Sequence, residues 1–205
     1  MIDTGDITLA ALLDSVPRDE LARIVARRGR VSRSVFLDAL YFDLDSAIER
    51  LEASAHRVQS DGEEKLTNYL AVQLAASGYD ASCETDVRGH TDLKIENRSA
   101  QLVWIAESKL HSSHEKNIDG MLQLMTRYTS GRHTDAGFLL FIRQPSAALI
   151  LERWSSAVQA DARLACTAVG NHSRQAVFSS DHDHPSGFKL LVRHHGILLF
   201  YDPRA

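Results

Sequence analysis

The chain has 205 residues, a formal net charge of −4, 44% hydrophobic and 24% charged residues, values ordinary for a globular protein with one sizeable core. No apolar run approaches the roughly 18 residues that span a bilayer, and the net negative charge argues against a surface-wide coat for nucleic acid. A local basic groove remains open, and with only Cys83 and Cys166 at no metal-like spacing the expected setting is reducing and cytoplasmic, with no membrane partner.

Residues 1–58 read as a helical segment. ITLAALLDSV precedes Pro17, and RDELARIVARRGR carries Leu21, Ile24 and Val25 at helix spacing, with Gly29 as its stop. SRSVFLDALYFDLDSAIERLEASAHRV gives one or two further helices, capped by Ser32 or Ser34. Six arginines (Arg18, Arg23, Arg27, Arg28, Arg30 and Arg33) crowd this region. They form either a phosphate-contacting face or, the plainer reading, a solvated face paired with Asp and Glu.

Residues 59–165 read as the core. GEEKLTNYLAVQLAASGY is an amphipathic helix with Leu66, Leu70 and Leu74 on one side and Gly78 as its stop. Glu63 sits on the inward side of its first turn, where it either satisfies the helix dipole or serves a site. DASCETDV and DLKIENR are strands, Asn97–Ala100 is a turn, and QLVWIAESKL is a strand apolar on both parities and hence covered on both faces. A turn centred between Asn97 and Ala100 pairs Asp92 near Ile105 and brings it within about one residue pair of Glu107. A helix around NIDGMLQLMTRYTS has the stripe Ile118, Met121, Leu122, Met125 and Tyr128; AGFLLFIRQ is a strand; Pro145 starts the next helix.

Residues 166–205 read as a β meander packed on the core, with turns at GNHS, DHPSG and HHG. DHDH at 181–184, with His194 and His195, could bind a transition metal, but exposed turn residues are the plainer reading. The predicted fold is therefore α/β, a mixed central sheet flanked by helices, with an N-terminal helical segment and a C-terminal meander.

Glu107 and Lys109 are two apart on one strand and leave the same face. With Asp92 across the hairpin, two carboxylates and an ammonium meet at the end of a buried strand, where unpaired charge is costly. Such hard oxygen donors suit Mg²⁺ or Mn²⁺, with the Ser108 backbone carbonyl as a further ligand and Lys109 positioned to orient water or steady developing charge. His90, next to the acidic site, is a candidate substrate contact or simply lines the cleft, and His111 and His114 follow Lys109 and could reach substrate, although no spacing argues for it.

Gly89-His90-Thr91-Asp92 followed by Glu107-Ser108-Lys109 at the end of an apolar strand resembles the PD-(D/E)XK nuclease superfamily, the restriction-endonuclease-like fold. The resemblance covers roughly residues 60–160 and rests on the order, spacing and placement of the motifs. It implies a Mg²⁺-dependent nuclease, with DNA the favoured substrate, in restriction or antiphage defence, acting as a homodimer or as a subunit of a defence complex. Asp92, Glu107, Lys109 and Glu63 are then catalytic, and Asp92, Glu107, Glu63 and the Ser108 carbonyl are the metal ligands. Gln123 and Tyr128 match the Gln and Tyr that many members carry on the following helix. Two departures stand: Thr91 replaces the usual Pro, and the Gln–Tyr spacing is one residue longer than the common form, leaving Arg127 where that Tyr would stand. Gln123 and Arg127, at i and i+4, either contact substrate phosphate or form a solvated edge. The alternative function is a catalytically silent nuclease-fold subunit that binds nucleic acid or scaffolds a larger complex.

Overall fold

The computed structural model describes residues 15–86, 90–128 and 134–203; the side chains at 84–91 and 127–128 lie outside that description. The helix expected at 7–16 falls almost wholly outside it. Five α-helices are described: α1 (Arg18–Arg28), α2 (Arg33–Ala53), α3 (Glu63–Ala76), α4 (His114–Gln123) and α5 (Ala147–Ala160). The strands are β1 (Asp80–Asp86), β2 (His90–Asn97), β3 (Leu102–Leu110), β4 (Asp135–Ile142), β5 (Cys166–Asn171), β6 (Val177–Asp183) and β7 (Lys189–Leu198). None of the described helices is long and apolar enough to cross a membrane.

The strands form one mixed seven-stranded sheet in the order β1-β2-β3-β4-β7-β6-β5. β1, β2 and β3 are antiparallel neighbours, β3–β4 and β4–β7 are parallel, and β7, β6 and β5 return antiparallel. The C-terminal strands thus extend the central sheet itself. Their reason for doing so lies in β4, all eight residues of which are buried. Its second edge would otherwise leave backbone donors and acceptors unpaired in an apolar interior. β7 closes that edge from Asp135↔Leu191 to Ile142↔Leu198.

Helices cover both faces, which is why β3 and β4 read as continuous apolar runs. One core packs α2 and α3 on Leu93, Ile95, Trp104, Ala106, Leu139 and Phe141. The other packs α4 and α5 on Ile105, Phe138, Leu140, Phe178 and Val192. Successive strand residues alternate between the two, as the pleat requires. The sheet passes so close to Trp104 at Gly137 that an added Cβ would stand 2.3 Å from its ring. Gly137→Ala is expected to cost about 3 kcal/mol through forced displacement of a fully buried indole, measured by chemical denaturation. An unchanged midpoint would show that the core can relax around it.

Three sequence expectations change. The helix after β4 begins at Ala147, with Pro145 ahead of the Ser146 cap, because Ser146 adopts a left-handed conformation (φ 61°) that turns the chain before helix can start. The HHG turn does not exist: His194, His195 and Gly196 lie inside β7. His182, His194 and His195 are accordingly buried, not exposed turn residues. An added Cβ at Gly196 would stand 2.5 Å from the end of the Leu151 side chain, so this glycine serves close packing of α5, not a turn.

The arginine-rich region proves largely structural. Arg23 pairs with Asp19 and stacks over Phe42 at 4.5 Å. Arg27 holds Asp43 through two 3.1 Å bonds, Arg28 donates to the Gly78 carbonyl, and Arg33 pairs with Asp135. Asp43 also accepts from the Tyr79 hydroxyl at 2.8 Å. These bonds tie α1 and α2 to the sheet and leave four of the six guanidiniums engaged within the chain.

Candidate active site

The hairpin places the site. β2 and β3 pair from Leu93↔Ala106 to Asn97↔Leu102, so the loop is Arg98–Gln101, with Gln101 at φ 55°. This register differs by two residues from the one expected from the sequence. Asp92 does not face Ile105, whose partner is Lys94. A shift of two preserves the face of every side chain, and one step beyond Leu93–Ala106 sets Asp92 opposite Glu107. The Asp92 carboxylate accepts from the Ser108 amide at 2.8 Å.

Glu107 is 1% exposed, and its Oε1 lies 2.5 Å from the Lys109 ammonium. Its Oε2 is buried without a partner among the described residues. Glu63, at the start of α3, reaches the same strand end. Its Oε2 accepts from the Leu110 amide at 2.6 Å and its Oε1 lies 3.4 Å from Lys109 Nζ. Of the two glutamates that open α3, Glu63 is therefore the one bonded to the strand. A cleft of about 120 Å³ lies here, lined by Glu63, Glu64, Thr67, Cys83 and Asp92.

Burial is the main electrostatic influence. It pushes the Glu107 carboxyl up to about 8, helped by the Asp92 charge and opposed by Lys109. Asp92 is also raised, again chiefly by burial, with the Ser108 amide and Lys109 pulling it back. Burial works against the Lys109 ammonium, but the hydrogen bond and charge of Glu107, then Glu63 and Asp92, outweigh it and raise its pKa. Lys109 is thus a fixed cation, and Glu107 is a carboxyl largely protonated at neutral pH, with its midpoint at about 8. A perturbed pair of this kind marks candidate chemistry.

Among the described residues no group of three or more His, Cys, Asp or Glu could hold a metal ion by itself. Asp92 and Glu107 supply two carboxyl groups at one strand end, and Glu107 Oε2 makes no hydrogen bond to the described residues. That set fits a hard cation that completes its shell with water and substrate oxygen, as Mg²⁺ commonly does, and does not fit a closed all-protein cage. Glu63 spends both oxygens on Leu110 and Lys109 and stands as a positioning residue in this arrangement.

The expected substrate contacts fare differently. Gln123 is the half-buried last residue of α4, followed by a π-helical turn over Leu124–Tyr128. The side chains of Arg127, Tyr128 and His90 lie outside the described residues. Neighbouring chains and known folds add no guide, since protein-family models, curated proteins and solved structures all give no match to this chain.

Sequence reasoning missed Gly120. An added Cβ there would stand 2.8 Å from Lys109 Cε and 3.0 Å from its Cγ, so α4 lies directly against the lysine stem. The signal was a Gly in the middle of an amphipathic helix, where it costs about 1 kcal/mol against Ala and needs a reason. If the site is hydrolytic, Gly120→Ala is expected to lower turnover about 10²-fold by displacing the ammonium on the order of 1 Å. Steady-state rates beside a thermal melt check this. Full activity in the variant would show that the lysine position is not critical.

Proposed function

We propose that this chain is a metal-dependent nuclease of the PD-(D/E)XK kind, hydrolysing phosphodiester bonds, with DNA the favoured substrate. The observation that supports it is the meeting of Asp92 and Glu107 at the end of β2 and β3, with Lys109 2.5 Å from Glu107. The mixed sheet with helices on both faces accords with a restriction-endonuclease-like core. Asp92 and Glu107 would hold Mg²⁺ or Mn²⁺, which supplies Lewis-acid polarisation of the phosphoryl oxygen and an acidified water. Lys109 orients the attacking water or neutralises charge that develops on the phosphoryl oxygens. Glu63 holds Lys109 and the Leu110 amide in place. A role in restriction or antiphage defence is an analogy drawn from the fold alone.

A second reading is favoured by an observation of its own. No three-residue metal group stands among the described residues, and Asp92, Glu63 and Glu107 each already bond within the chain. On this reading the chain is a catalytically silent nuclease-fold subunit that binds nucleic acid or scaffolds a larger assembly.

Cleavage assays separate the two. The wild-type chain is incubated with Mg²⁺ or Mn²⁺ and plasmid DNA, single-stranded DNA or RNA, beside Asp92→Ala and Lys109→Ala. Cleavage by wild type with a loss of about 10³-fold or more in both variants is expected of the nuclease. A wild type no more active than both variants, across metals and nucleic acids, leaves the silent subunit.

A further inference from the structure

Beyond Lys109 the strand runs into a second polar group that the proposed chemistry does not use. His111 continues the β3–β4 ladder, its amide donating to the Phe141 carbonyl at 2.9 Å. Its own carbonyl accepts from Gln144 Nε2 at 2.9 Å. Its ring Nδ1 lies 3.1 Å from Asn117 Nδ2, and its ring centre lies 5.2 Å from that of His114. The imidazole is thus held by backbone, side chain and ring contacts while remaining half-buried.

The bonding fixes its chemistry. With the Asn117 amide nitrogen turned toward the ring, Nδ1 accepts and the ring proton resides on Nε2. Asn117 is fully buried beside it. Burial, followed by the neighbouring His114, pushes the imidazole below its usual pKa, so at neutral pH it is an uncharged donor with one N–H to offer. His111 shares strand parity with Lys109 and lies about 6.6 Å further along. Both sit at the carboxyl end of β3, beside its parallel neighbour β4, where open α/β sheets bind ligands.

We propose that His111 is a substrate contact, its Nε2–H donating to a nonbridging oxygen of a backbone phosphate next to the one held at Asp92, Glu107 and Lys109. The inference rests on the phosphodiester reading of that site. It adds a second phosphate position, so the chain reads a length of nucleic-acid backbone and not a lone phosphate. Asn117 and Gln144 are the positioning residues that set the tautomer and the ring's place.

The test uses the full chain and a defined DNA duplex, with Ca²⁺ in place of Mg²⁺ so that affinity is measured apart from turnover. Methylphosphonates are placed singly along the bound strand, and wild type is compared with His111→Ala and His111→Gln. His111→Ala is expected to bind the unmodified duplex about tenfold more weakly, as for loss of a hydrogen bond to a charged group. Its salt dependence should match wild type, since a neutral donor releases no counterion. At one phosphate the methylphosphonate should weaken wild type about tenfold and His111→Ala not at all, a cycle that misfolding cannot mimic. His111→Gln, which keeps a donor, should recover part of the loss. If His111→Ala matches wild type, or keeps full sensitivity at every methylphosphonate, the proposal fails while the phosphodiester reading stands. If wild type neither binds nor cuts the duplex while Asp92→Ala behaves identically, both fail together.

Discussion

Glu107→Gln is expected to abolish metal-dependent cleavage, by about 10³-fold, while leaving the fold as firm or firmer. The two effects separate because Glu107 is costly to the apo protein. Its folded pKa of about 8 stands above the ordinary 4.5, with burial as the leading cause. The folded state therefore binds more protons than the unfolded state between those values, and the wild type loses stability as pH rises through that window. Above pH about 8 the whole penalty is present. Gln carries no such charge, so its advantage over Glu should grow with pH and reach about 2–4 kcal/mol, reduced by the ion pair that Lys109 loses. Metal binding must also displace the proton, so wild-type metal affinity should strengthen as pH rises toward 8. Denaturation curves and metal titrations across pH test both parts. A Gln variant that cuts like wild type would remove Glu107 from the chemistry.

Ser180→Ala is expected to destabilise the protein by about 3 kcal/mol, a drop in Tm of about 10 °C for a chain of this size. The reason is a buried hydrogen-bond chain across α5, β7, β6 and the turn at Leu164. Trp154 Nε1 donates to His194 Nδ1 at 3.2 Å, and Ser180 Oγ lies 2.7 Å from both His194 Nε2 and His182 Nε2. His182 Nδ1 lies 2.7 Å from the Leu164 carbonyl. Indole can only donate and carbonyl can only accept, so every proton in between is assigned. His194 donates from Nε2 to Ser180, the Ser180 hydroxyl donates to His182 Nε2, and His182 donates from Nδ1 to Leu164. Alanine at 180 leaves two buried ring nitrogens unpaired. The same chain has no place for an added proton. Burial lowers the pKa of His182 and depresses that of His194 further. The unfolded state then binds more protons below about pH 6.5, so stability is full above that value and falls as pH drops. In the Glu107→Gln background, which removes the opposing titration of Glu107, a loss of about 2 kcal/mol between pH 7.5 and 5.5 is expected. Stability that stays flat over that range would show that the histidines are protonated without cost.

The case of these histidines shows what a local reading omits. DHDH and HHG look like turn sequence because His and Asp are common in turns and a Gly follows. Their burial depends on β7 pairing with β4, some fifty residues earlier in the chain. Nothing within the HHG stretch encodes that partner. The two-residue shift at the hairpin, within the latitude of about two residues that the turn allowed, has a similar origin. Asn97 reads as a turn residue, yet its side chain is buried and donates to the Ala26 and Gly29 carbonyls. That distant contact draws it into β2 and moves the loop to Arg98–Gln101.

By itself the sequence determined what depends on neighbours along the chain. Helical spacing located α3 and the Gly78 stop, apolar runs located β3 and β4, and strand parity put Glu107 and Lys109 on one face. Each follows from the fixed period of a helix or strand. The tertiary structure alone decided which edges meet and what a side chain touches across space. It made one sheet from β1 to β7, brought Glu63 to Lys109 and Leu110, and laid Gly120 against the lysine stem. It also turned the arginine run inward to Asp43, Gly78 and Asp135. Such pairings are settled by the satisfaction of buried polar groups and the filling of the core, which couple residues far apart in sequence.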